Sequence, residues 1–135
     1  MVHLIYTSYY GAMKKLPKSV LPVAISRYWP KGIAVASCED LAPPADLLTL
    51  VKSAEQAGDP VPCELFKSMY TSRVLDFRDP AVIVSQLEAA ARFYHKEDIC
   101  LLCYEKLGDV CHRHFVSEWL NDAGYTCVEY EFGGD

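Results

Sequence analysis

The chain has 135 residues, 51% of them apolar, a length and composition that suit one globular domain, 1–135, with a core of its own. Its 13 Lys and Arg against 18 Asp and Glu leave a formal charge of -5, which argues against a broad nucleic-acid footprint but leaves room for a small basic pocket. No window approaches ~20 uninterrupted apolar residues, so neither a membrane span nor a membrane partner is expected.

Val2 to Tyr10 reads as a short apolar strand that leaves through Thr7 and Ser8 into a lysine-bearing loop with Lys14, Lys15 and Lys18. A second strand begins at Val20 and ends near Arg27, with Pro30 and Gly32 breaking the chain beyond it. Pro43, Pro44 and Asp46 start a short amphipathic helix that Gly58 stops. Phe66, Met69, Tyr70 and Val74 recur at helical spacing and predict a second helix with a core-facing stripe.

Asp79 before Pro80 opens the clearest helix, because the aspartate can accept orphan backbone N–H bonds and proline suits the first helical position. Its buried stripe is expected at Ile83, Leu87, Ala90, Ala91 and Tyr94. The run from Ile99 to Tyr104 is apolar on both faces and predicts a central strand. A last helix runs from about Asp109 to Gly124 with Cys111, Phe115 and Trp119 on one stripe, and Tyr125 to Phe132 supplies a final strand. Helices alternating with strands predict a compact three-layer Rossmann-like α/β domain with a mostly parallel central sheet.

The chemistry concentrates in Leu101 to Arg113, where a buried strand becomes a helix. In an open parallel sheet, ligands bind beyond the carboxyl ends of the strands, and the free N–H groups of the next helix favour an anion that Arg113 could clamp. A zinc reading would combine Cys100, Cys103, Cys111 and His112 or His114. It meets a geometric obstacle, since side chains three apart on a strand point to opposite faces. A reactive-thiol reading places Cys111 at the helix start, with His112, His114 or a distant histidine as base. A plain packing reading makes Cys103 and Cys111 small buried hydrophobes and Glu105 with Arg113 a surface ion pair. The opening residues Met-Val-His-Leu-Ile-Tyr do not resemble a secretory signal, so the six cysteines are expected as free thiols in a reducing, cytoplasmic setting, with a Cys103–Cys111 disulfide as a minor alternative that this setting disfavours.

The stretch Leu-Leu-Cys-Tyr-Glu-Lys followed by Cys-His-Arg resembles the signature of the domain of unknown function 488 family. Ile5 to Tyr10, Ile25 to Pro30 and Glu64 to Tyr70 are similar to that family's first strand, second-strand end and phenylalanine–tyrosine helix. The resemblance implies a small α/β domain whose pocket gathers Thr7, Ser8, Arg27, Cys103, Glu105, Cys111, His112 and Arg113. Ile25 stands where the family often carries an aspartate.

Two functions follow. One is an enzyme acting on a phosphorylated small molecule, a nucleotide or a nucleic-acid end, with Glu105, Cys111 and His112 catalytic and Thr7, Ser8, Arg27, Cys103 and Arg113 binding the ligand. The other is a non-catalytic nucleic-acid-binding or protein-interaction module using Tyr9, Tyr10, Tyr28 and Trp29 beside lysines. No cofactor is expected, and the sequence does not define the oligomeric state or the reaction class.

Overall fold

A computed structural model of the chain describes residues 4–32, 36–104 and 112–132. Among these residues five strands form one sheet: β1 (Ile5–Tyr9), β2 (Val20–Ala24), β3 (Ala36–Ser37), β4 (Asp98–Cys103) and β5 (Cys127–Glu129). Their spatial order is β3-β2-β4-β1-β5, and every pairing is parallel. The α-helices are α1 (Ala45–Gln56), α2 (Cys63–Arg73), α3 (Pro80–Phe93) and α4 (His112–Asp122). The α/β class and the parallel sheet expected from the alternation are therefore present, and the doubly apolar strand is the central one.

The layers on the two sides of the sheet are uneven, and topology gives the reason. Crossovers between parallel strands are right-handed, so those moving one way along the sheet run over one face and those moving back run over the other. The connections from β3 to β4 and from β4 to β5 contain the four described α-helices, whose residues Leu47, Tyr70, Leu87 and Val116 join one core with Ile5, Leu21, Ile99 and Leu101. The connection from β1 to β2 carries only the 3-10 helix Tyr10–Lys15. Tyr10 packs there with Val20, Ala24, Cys100 and Leu102 in a smaller second cluster. Cys100 and Leu102 thus face one side of β4 while Ile99 and Leu101 face the other, as strand alternation requires.

Local expectations were met unevenly. Asp79 caps α3 by accepting from the Ala81 N–H at 3.0 Å, with Pro80 as the first helical residue. In the α3 stripe Ile83, Leu87 and Ala91 are buried, but Tyr94 is 49% exposed and Val84 is buried in addition. The tyrosine fails because it follows the last helical residue, where the helical period no longer sets its direction. On α4 the buried stripe is Phe115, Val116 and Leu120, with Trp119 only partly buried and Cys111 outside the described residues. The lysine-bearing loop after β1 is a 3-10 helix that buries Tyr10 and Ala12.

Candidate site at the carboxyl edge of the sheet

β1 and β4 are neighbours whose chains depart in opposite senses: β1 leads toward β2 and the thinly covered face, β4 toward α4 on the helical face. A crevice at such a switch point is where an open parallel sheet offers ligands its strand ends and a helix N-terminus together. In register here lie Thr7 beside Leu101, Ser8 beside Leu102 and Tyr9 beside Cys103, with Thr7 also beside Glu129 of β5.

Arg113, on the first turn of α4, is fully buried. Its Nε donates to Glu129 Oε1 at 3.1 Å and its Nη2 to Glu129 Oε2 at 3.3 Å, a two-pronged pair. Nη1 donates to Cys103 Sγ at 3.3 Å. Thr7 Oγ1 donates to Glu129 Oε1 at 2.6 Å. Thr7, Cys103 and Arg113, three of the residues singled out in the sequence, are therefore one network whose hub is a residue that was not singled out. Glu129 is 22% exposed at its side chain, so the hub is the member that reaches toward solvent. A sequence signal for it exists only in retrospect: an acidic residue at an inward position of an otherwise apolar terminal strand needs a cation, and Arg113 is that cation.

Cys103 is fully buried and disulfide-bonded, whereas Cys38, Cys63, Cys100 and Cys127 are free. The expectation of free thiols throughout thus fails at Cys103, because composition and opening residues carry no information about whether two sulfurs meet. Cys100 lies across the sheet from Cys103, among Leu102 and Tyr10, and burial pushes its thiol well above the ordinary range.

His112 is buried, and its Nε2 donates to the Ile25 carbonyl at 2.7 Å, tying the end of β2 to the start of α4. Its ring lies 5.3 Å from that of Tyr70, whose hydroxyl donates to the Leu41 carbonyl at 2.6 Å. Burial, with a smaller contribution from the adjacent Arg113 charge, pushes its pKa down to about 4, although the Ile25 carbonyl works the other way. The ring is neutral at neutral pH. Ile25 itself is fully buried, its side chain in the core and its carbonyl on His112.

Ser8 is 1% exposed and its hydroxyl has no hydrogen-bond partner among the described residues. By strand alternation it faces the side of the sheet opposite Thr7. Arg27 is exposed; its Nε donates to the Pro43 carbonyl at 2.9 Å, and it makes no described contact with the Arg113 cluster. Glu105 and Cys111 lie outside the described residues. Above Ser8 on its face, Tyr10 packs edge-on against the half-exposed Tyr104 at 5.0 Å and shares a hydrogen bond with Ser26 at 2.5 Å.

A family model described as "Active DUF488-N3 subclade" matches residues 5–124. No curated protein and no solved structure matches the chain.

Proposed function

The chain belongs to the DUF488 family, in the branch described as the active DUF488-N3 subclade, and from that premise we propose that it is an enzyme acting on a small phosphorylated molecule, a nucleotide or a nucleic-acid end. The observation that carries this reading is the Arg113–Glu129–Thr7 cluster at the switch point between β1 and β4. A buried arginine and a carboxylate with three donors on it fix one charged oxygen pair at the edge where the sheet meets ligands.

In this reading the partly exposed Glu129 carboxylate faces the ligand, orienting a hydroxyl or a water, and Arg113 and Thr7 position it. Ser8, on the opposite face of β1 from Thr7, offers a hydroxyl donor at the same strand end, and the α4 N-terminus the dipole that favours an anion. Arg27 adds charge at the neighbouring strand end, since its terminal nitrogens have no described protein partner. Glu105 keeps its sequence-based role of orienting a hydroxyl or acting as a base, Cys111 that of a nucleophile or a structural thiol at the floor, and Cys103 lines the wall. His112 serves as a neutral ring that holds α4 against β2. A cytoplasmic setting is part of the proposal; among the described residues no helix is long and apolar enough to cross a membrane.

One observation favours the rival module: Tyr28, 65% exposed, is followed in the chain by Trp29 and Lys31, which are exposed as well. The test is calorimetric titration with inorganic phosphate, ribose phosphate, nucleoside monophosphates and a phosphorylated oligonucleotide, followed by product analysis for each binder. Binding of one phosphorylated probe, weakened about tenfold by Ser8→Val, with turnover lost in Glu129→Gln, is expected. Oligonucleotide binding with no product, unchanged in both variants, would transfer the assignment to the module. No binding at millimolar probe would overturn both.

A further inference from the structure

Where the two-residue β3 ends and the chain turns into the 3-10 helix Glu39–Leu41, a cleft of about 280 Å3 opens between the sheet edge and α3. That is far more than one water needs, and close to the ~300 Å3 at which small-molecule pockets begin. It shares no residue with the Arg113–Glu129–Thr7 cluster. Its inner wall is apolar: Val23 and Leu87 are buried there, with Ala36 and Ala90 partly buried beside them.

The polar groups of the cleft differ in kind from those around Arg113. Ser37, Glu39 and Gln86 line it and are exposed, so they stand at its mouth. Their side chains have no hydrogen-bond or ion-pair partner among the described residues. Asp40 lines the cleft too, but an Arg78 nitrogen lies 3.7 Å from its carboxylate and answers that charge. Cys38, a free thiol 8% exposed, completes the wall. Burial, and after it the Asp40 carboxylate, pushes that thiol up, so this part of the wall is uncharged.

A ligand that fits must bury an apolar stem and answer one carboxylate and two neutral acceptors at the mouth. An anion would meet Glu39, and a neutral ligand would leave its charge unanswered. A primary ammonium carries three N–H donors and no acceptor, one donor for each of the three groups. A short alkyl stem covers apolar surface while its charged head stays at the water boundary, as lysine stems do. The formal charge of -5 on the whole chain also draws cations toward it.

We propose that this cleft is a binding site for a small primary alkylamine, with its stem between β3 and α3 and its ammonium on Glu39. No phosphorylated ligand enters here, so the site stands or falls apart from the functional reading above.

The test is calorimetric titration of the full chain with butylammonium, butanol and butyrate at constant ionic strength, together with the alkylation rates of Cys38 and Cys63 followed by peptide mass. Butylammonium is expected to bind about tenfold tighter than butanol, and butyrate more weakly than either. Glu39→Gln should erase the preference for ammonium. Bound amine should slow alkylation of Cys38 and leave the exposed Cys63 unchanged. Ala90→Leu, which fills the cleft, should abolish both binding and shielding; if it does not fold, Glu39→Gln at its exposed position decides the question. Amine and alcohol binding alike, a preference that survives Glu39→Gln, Cys38 unshielded at saturating amine, or no binding at millimolar probe would overturn the site. Tighter binding of Nα-acetyl-lysine amide than of butylammonium would overturn the free amine in favour of a lysine on a partner protein.

Discussion

His112 shows how one side chain couples the candidate site to solution conditions. In the unfolded chain it titrates near its ordinary value of 6.5, whereas in the folded protein burial pushes it down to about 4. Between these values the unfolded state binds the extra proton, so stability is full above about 6.5 and drains as pH falls toward about 4. The loss is on the order of 3 kcal/mol, and the partly buried His114, lowered chiefly by burial, adds in the same direction. Urea denaturation from pH 7 to pH 4 should show this slope, and His112→Gln should flatten it; an unchanged slope would mean that the histidine is not the proton site. That His112 and Arg113 are buried was not legible in the sequence, where both read as ligand-facing residues of a first helical turn. Thr7, Cys103 and Arg113 were legible as a group because they sit at strand and helix ends, but Glu129 was not. It lies 16 residues beyond Arg113, and its role depends on β5 pairing beside β1, which no local pattern encodes.

At the scale of elements, helix stops separate what local chemistry reveals from what it does not. α1 and α4 end on Gly58 and Gly124 with φ of 79° and 96°, and both glycines were legible as stops. α3 ends with the same hydrogen-bond pattern, His95 N–H to the Arg92 carbonyl and Lys96 N–H to the Ala91 carbonyl, but the left-handed residue is His95 at φ 58°. A residue with a Cβ pays roughly 1–2 kcal/mol for that conformation, which a glycine avoids. His95→Gly is expected to stabilise the protein by about 1 kcal/mol, less whatever the freer unfolded chain gives back. A shift of the denaturation midpoint upward at constant m-value would bear this out, and a shift downward would show that the imidazole makes a contact worth more than the strain. β3 was missed for a different reason. Two residues, Ala36–Ser37, carry no alternation to read, and their strand identity comes only from pairing with Val23 and Ala24.

For the whole molecule, the sheet order places the strongest element at the centre and the weakest at the rims. β4 is hydrogen-bonded to β1 on one side and β2 on the other, and Ile99 to Cys103 are all fully buried. β3 and β5, two and three residues long, close the edges, and Val128 of β5 is 45% exposed. The sheet is covered by four helices on one face and by the Tyr10–Lys15 turn on the other, so the edges have few apolar contacts to lose when they open. Local opening free energy follows buried contacts and protected backbone bonds. Native-state hydrogen exchange should therefore find the β4 amides from Ile99 to Cys103 opening only with global unfolding, while those of Ser37 and Val128 exchange orders of magnitude faster. The site straddles this gradient. Cys103 belongs to the central strand, Arg113 to the buried first turn of α4, and Glu129 to the edge strand beside β1. If β5 amides proved as protected as those of β4, Glu129 would be a fixed wall; fast exchange at β5, abolished by the phosphorylated probe that binds, would make the edge strand the part of the site that ligand orders.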